Sequence, residues 1–520
     1  MHTPPRQLLI GLDAMDWELV QRWTAANKMP TFRRLMQEGT QAELSTADSL
    51  PDVVWNCLCS GLNPAHLARY FYVQHDPGTA SLRYMPDDSF GVKYFWDYLS
   101  DAGRRVGVVD VPHVAFSPNL NGFQLLAWGT HAAHSARSST PRSFLHEVDE
   151  RFGRFPVGEC DAVTSAPEAR KLLRQQLLAG VHAHGELFRH CITERAWEVL
   201  ITVFAAPHCA GHFYWADMDR THPAHDRQDP HRLADTIEAI YRAIDREVGE
   251  MIEAAGPSVP VYLIAAHGMG PMYHASWNLP EILDYLGYGN EESRRVDRPR
   301  EIHRARFNFW RTMRRALPGK LQYAIKAALP QRLQNELIFR LYRGNRSWEN
   351  CRAFAVPNGD AVGAIRINLK GRDYKGVVEP GAEYDRICDE ICLALTELRD
   401  PLSGRPVVKH ISRLQRELHG PYLDRLPDIT ARWDQSFPWC SVNSPRFGTM
   451  QLPNQDVRTG SHRPPGFLLA SGEGIARGAT ISGASIFDVA PTILHGAGVL
   501  VPEGLEGRPI LDPGSARAKG

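Results

Sequence analysis

No stretch of this chain is long and apolar enough to cross a bilayer, and its opening, MHTPPRQLLIGLDAMDW, lacks the pattern of an export signal. A cytoplasmic protein is therefore expected. Net charge is also missing, since 59 Lys+Arg balance 59 Asp+Glu. This removes any global pull toward nucleic acid or anionic membrane, and no nucleic-acid partner is expected. Cysteine is scarce and scattered: nine residues, at 57, 59, 160, 191, 209, 351, 388, 392 and 440, with no pair of CxxC units. An odd, unpatterned set argues against a disulfide scaffold and for reduced thiols. Cys57 and Cys59, at i and i+2, would point to different faces of a helix, which argues against a redox pair. Internal repeats and long low-complexity tracts are absent as well.

What is present alternates between strand and helix signals. LLIGLD (8–13), RRVGVVDVP (104–112), EVLITVFA (198–205) and VPVYLIAAHG (259–268) are apolar runs, as strands buried on both faces should be. AVGAIRINLKG (361–371), LPDITARW (426–433) and GFLLASG (466–472) are further strand candidates. Helical spacing of apolar residues marks 231–255, and WELVQRW, PTFRRLMQEG and DVAPTILHGAG read as helices. The expectation is an α/β fold with a mostly parallel sheet flanked by helices. At 520 residues, one large domain with a substantial insertion, or two domains, is expected. Residues 285–350 carry far more Arg and Lys than acids in a helical pattern broken by Pro318 and Pro330. They read as a basic helical insertion between a first core part, 1–284, and a second, 351–520. Its basic face is either merely solvated or a cap offering positive charge to an anion or a membrane surface.

The polar residues of interest fall where these strands end. Asp13 closes the first strand, His267 closes its own, and His208 and His212 follow EVLITVFA in APHCAGHFYW. His462 precedes GFLLASG. In open parallel sheets ligands bind beyond the carboxyl ends of the strands. On a helix, the i, i+4 spacing of His208 and His212 puts both rings on one face, as zinc sites require. Cys209, one position on from His208, points elsewhere. His131, in AWGTHAAH, is a further candidate to line the pocket.

GLDAMDW, VVWNCLCSGLNP, PHCAGHFYW, AAHGMGP, GSHRPPG and DVAPTIL occur in an order that resembles the alkaline phosphatase superfamily, in particular its type I phosphodiesterase/nucleotide pyrophosphatase branch. INLKGRDYKGVVEPG and LEGRPI are similar to the same branch, so the likeness runs from Ile10 to about Ile510. It implies an alkaline-phosphatase-like sandwich and hydrolysis of a phosphoester or phosphodiester. It also implies two metals, usually zinc, at the strand ends: one held by Asp, His and His, the other by Asp, Asp, His and a Thr or Ser nucleophile. Carried over, the first set falls on His208, His212 and His462, and the second on Asp13, Ala266 and His267.

The chain departs from that pattern three times. His208 stands where the family has aspartate, Ala266 where it has a second aspartate, and Pro51 at the nucleophile position four residues before Trp55. Thr46, Ser49 and Asp52 lie near Pro51, but the spacing supports none of them as a replacement nucleophile. Three neutral imidazoles with an open fourth position suit a catalytic zinc, and would also hold iron, cobalt, copper or manganese. With no anionic ligand to lower the ion's charge, its water should be more acidic and a protein nucleophile less necessary. The expectation is a metal-dependent hydrolase of a small anionic substrate acting by metal-bound hydroxide, with Asp52 or His267 as base. Asp13 and His267, with Asp52, would either bind a weaker second metal or surround the first as base and hydrogen-bond partners. Two rival readings remain: a single-metal lyase, isomerase or redox enzyme, and a non-catalytic descendant that binds a metal or ligand. The sequence leaves the oligomeric state open, a homodimer included.

Overall fold

The computed structural model describes residues 6–511, except 48, 80, 131–135, 159–165, 227, 229–232, 274, 453–456 and, apart from Leu333, 290–347. His131 and nearly all of the expected basic insertion lie outside the described residues.

A nine-stranded sheet forms the centre, in the order Ala479–Ser485, Thr40–Ser45, Gly466–Ser471, Val261–Ala265, Gln7–Leu12, Val199–Phe204, Val106–Val109, Gly122–Leu126, Ser138–Thr140. Within it only Gly466–Ser471 and Ser138–Thr140 run against the rest. The middle strands are apolar throughout because helices cover both faces. Gln7–Leu12, Val199–Phe204 and Val261–Ala265 have no exposed position. One face packs against Val54–Ser60, Phe95–Asp101 and Val489–Gly496. The other packs against Trp17–Ala25, Pro30–Glu38, Pro167–Glu194 and Thr236–Ala255. The last of these buries Ile237, Ile240, Ile244 and Val248 at the spacing read from the sequence.

The architecture is thus the expected α/β sandwich. Three elements were not legible beforehand. Pro167–Glu194 runs 28 residues with His184 and His190 among its buried positions, which blurs the periodicity. Thr40–Ser45 and Ala479–Ser485 sit at the sheet's margin, where exposed positions need no apolar residue.

Residues 353–433 do not extend this sheet. Ala353–Val356, Val362–Ile367, Ile429–Trp433 and Val408–Arg413 form a separate four-stranded antiparallel sheet. With the Ala382–Thr396 helix it encloses an apolar cluster of its own, built on Ile365, Ile387, Ile391 and Ile429. The chain then rejoins the main sheet at Gly466. No helix among the described residues is long and apolar enough to cross a membrane.

Candidate metal centre

The strand topology gathers the site. Gln7–Leu12, Val199–Phe204 and Val261–Ala265 are mutually parallel, so Asp13, the helix after Phe204 and His267 all emerge at one edge. Gly466–Ser471 runs the other way, so the segment that precedes it returns to that same edge. This is how His462, nearly two hundred residues from His267, comes to stand beside it.

His208 and His212 lie on the Ala206–Met218 helix, which starts at Pro207 in its first turn and is buried on every side as far as Ala216. His462 lies on Gly460–Arg463, paired antiparallel with Gly268–Pro271 so that His462 faces Met269 across the ladder. Two glycines allow the helix and this strand pair to approach. A Cβ on Gly211 would fall 2.4 Å from Met269 Cγ, and one on Gly460 would fall 2.2 Å from the Gly211 carbonyl oxygen. The Thr459 N–H donates to the His212 carbonyl at 2.7 Å and ties the two elements together.

The three imidazoles converge. One ring nitrogen from each of His208, His212 and His462 lies within 4.8 Å of the others, and theirs is the one such group of three or more potential ligands among the described residues. His212 Nδ1 is 2.7 Å from the Gly460 carbonyl oxygen. A carbonyl only accepts, so Nδ1 carries the proton and Nε2 presents a lone pair. That lone pair faces His208 Nε2 at 3.2 Å. Two nitrogens bound to one tetrahedral ion at about 2.0–2.1 Å stand about 3.3–3.4 Å apart. The residues present therefore fit a single tetrahedral ion, with the backbone carbonyl as the outer partner that fixes the ligand's tautomer.

His267 is the next layer. It is buried, and its ring centroid is 4.2 Å from that of His462. Its Nδ1 is buried without a hydrogen-bond partner among the described residues. Burial lowers the pKa of this imidazole, and the charge of Asp13 opposes that shift. Asp13 is buried and accepts from Trp55 Nε1 at 2.8 Å. Trp55 reaches it because residue 11 is glycine: a Cβ there would fall 2.7 Å from the indole. Ala266 is fully buried and belongs to the apolar cluster on its face of the sheet. Cys209 belongs to the cluster on the other face.

The loop that should carry a nucleophile is turned toward the second sheet. Ser49 Oγ is 3.3 Å from Ser412 Oγ, and the Ser49 carbonyl accepts from Asn358 Nδ2 at 3.0 Å. Pro51 packs so closely on Gly359 that a Cβ there would fall 2.4 Å from its Cγ. Asp52 Oδ2 is 3.3 Å from the wholly buried guanidinium of Arg69, whose other terminal nitrogen donates to Asp87 Oδ1 at 2.8 Å. Neither Arg69 nor Asp87 stood out in the sequence, where both lie in irregular polar segments without a motif. Arg463 was missed too, although its place beside His462 was a usable signal.

The type I phosphodiesterase/nucleotide pyrophosphatase family model matches residues 7–437. The chain belongs to that family. It is accordingly a phosphoester hydrolase, as the sequence motifs implied. No curated protein sequence matches it. Among solved structures, human ectonucleotide pyrophosphatase/phosphodiesterase 5 is 11% identical with a TM-score of 0.48, over 96% of each chain. Phosphonoacetate hydrolase from Sinorhizobium meliloti 1021, in complex with phosphonoformate, is 13% identical with a TM-score of 0.51, over 95% of this chain and 96% of that one. At this identity the likeness to phosphonoacetate hydrolase concerns the fold alone.

Proposed function

We propose that this phosphodiesterase-family chain is a divalent-metal-dependent hydrolase that acts on a small anionic phosphoester or phosphodiester without forming a covalent intermediate on a protein side chain. The observation that carries the reading is the His208–His212–His462 group, with the His212 tautomer fixed by Gly460. His208, His212 and His462 would hold the ion. Three neutral nitrogen donors suit zinc best, with iron, manganese or cobalt as the other candidates. A divalent ion at this place supplies Lewis acidity: it polarises a phosphoryl oxygen and acidifies a water.

The chain's own residues do the rest. His267 is the proposed base, its Nδ1 buried and unspent beside His462. Asp13 offsets the positive charge that His267 acquires on taking a proton, and Trp55 fixes the orientation of that carboxylate. Asp52, named with His267 from the sequence, is oriented by Arg69 and is proposed to place the substrate side of the loop rather than to act alone. Asp13 and His267 offer two donors where a second ion would need at least one more. Ala266 supplies none, so one ion per chain is proposed.

Elemental analysis of tag-free protein purified without added metal tests this, with His462→Ala beside it and hydrolysis of bis(p-nitrophenyl) phosphate measured on both. About one ion per chain and measurable hydrolysis, both lost in the variant, are expected. Two ions per chain would restore a two-metal mechanism. No ion, even after titration with zinc, would end the metal reading.

A further inference from the structure

Asp16 lies three residues past Asp13, outside the ligand group, and its carboxylate meets the two segments that carry His462 and His267. Arg463, the neighbour of His462, makes a two-pronged contact with it: Nε to Oδ2 at 2.8 Å and NH2 to Oδ1 at 2.9 Å. Gly268, the neighbour of His267, packs so closely that a Cβ there would fall 2.7 Å from Asp16 Oδ2. On its own segment, Asp16 Oδ1 accepts from the Leu19 N–H at 3.1 Å and caps the helix that leaves the Asp13 turn. Its own N–H donates to Tyr241 Oη at 2.8 Å. The Asp16 side chain is 4% exposed and that of Arg463 is 20% exposed.

Successive residues of a strand point to opposite faces. On Gly460–Arg463, the alternation that turns Arg463 toward Asp16 turns His462 the other way, toward His208 and His212. We infer that the Asp16–Arg463 pair is a positioning device for the histidine centre: it sets the ring of His462 against the two helical imidazoles and holds the turn after His267 against the same anchor. This rests on the reading of the three histidines as an ion site. A bidentate fork fixes direction as well as distance, which a lysine at 463 would not reproduce. Glu18 also contacts Arg463, at 2.7 Å, but is 68% exposed and contributes little to orientation.

The test is titration of metal-free protein with cobalt(II), read as a dissociation constant and as the visible absorption of the bound ion. Melting of the metal-free proteins is recorded in parallel, and binding is measured well below each melting point. Asp16→Asn keeps the helix cap and the shape but loses the ion pair. It should bind about 10- to 100-fold more weakly, the range seen when outer partners of metal ligands are removed, and its absorption bands should shift. Arg463→Lys should fall between the two, and Glu18→Gln should stay within about twofold of the parent. A parent-like constant and spectrum in folded Asp16→Asn would reduce the pair to a helix cap and overturn the inference. If that variant does not fold, the same result in Arg463→Lys overturns it. If the parent itself takes up no cobalt, the ion site fails and the inference fails with it, an outcome distinct from normal uptake by both variants.

Discussion

His212 Nε2 faces His208 Nε2 across 3.2 Å while its own Nδ1 proton is committed to Gly460. The lone pair of His212 therefore points into the site, whatever the state of its neighbour. In His208→Asp a carboxylate would replace one neutral donor and lower the net positive charge of the loaded centre. The acidic limb of the kcat/KM–pH profile should then move to higher pH by about one unit or more, since a less positive centre acidifies its water less. A profile that stays in place would show that the group titrating there is not governed by the charge of this cluster.

Ser49 is engaged with Ser412 and Asn358 of the second sheet. Ser49→Ala should keep kcat within about threefold, against the losses of several powers of ten expected for a nucleophile. Intact-mass analysis of acid-quenched turnover mixtures should show no phosphoryl adduct on the parent chain. An adduct on Ser49 would replace the proposed mechanism with a covalent one.

Arg69 is fully buried between Asp52 and Asp87. Arg69→Met removes the cation and leaves two carboxylates facing each other in a poorly hydrated place. The expected loss is about 3–5 kcal/mol of unfolding free energy, measured by urea denaturation. Asp87→Asn added to it should recover part of that loss. A double variant no more stable than the single one would mean that Arg69 acts through packing alone.

Gly211→Ala tests the close approach of the helix and the strand pair Gly268–Pro271/Gly460–Arg463. The new methyl would press on buried Met269, opposite His462 in the ladder. Overpacking of this size costs about 1–3 kcal/mol. Metal affinity should fall together with stability, because the displaced strand is paired with the one that carries His462. Loss of stability with unchanged affinity would separate the glycine from the site.

His184 provides a pH test away from the site. It is fully buried, with Nε2 2.6 Å from Thr202 Oγ1, and burial lowers its pKa to about 4. An unfolded histidine titrates near 6.5. Between these values the unfolded chain holds a proton that the folded chain refuses, so acidification favours unfolding. Asp110, 4.0 Å away, is pushed up to about 6 by burial and works in the opposite sense over part of the range. The difference between the parent and His184→Gln isolates the histidine. The parent should lose stability relative to the variant as pH falls from 6.5 toward 4, by up to about 1.4 kcal/mol per pH unit. A difference that does not change with pH would mean that His184 takes no part in this linkage.

The central strands were legible because burial on both faces leaves an unbroken apolar signature in Leu8–Leu12 and Val261–Ala265. Their ends were legible too, since a polar residue after such a run has few other reasons to be there. Asp13, His208, His212, His267 and His462 do come together at one edge. The separate sheet around Ile365 and Ile429 was not legible. Its strands read like any others, and partner and direction are not written in a single strand. Nor was the Asp16–Arg463 contact, which joins residues 447 positions apart. Ion pairs of that range are set by topology, and no local pattern announces them.

Gly466–Ser471 lies between Val261–Ala265 and Thr40–Ser45 and reverses the direction of the sheet at that point. The chain therefore inserts a late strand between two early ones, and delivers its third histidine in the same movement. During synthesis everything through residue 459 precedes this strand, so His208 and His212 are made well before His462. The proposed three-histidine ligand set is therefore complete only once the segment that also fills this gap in the sheet has been made.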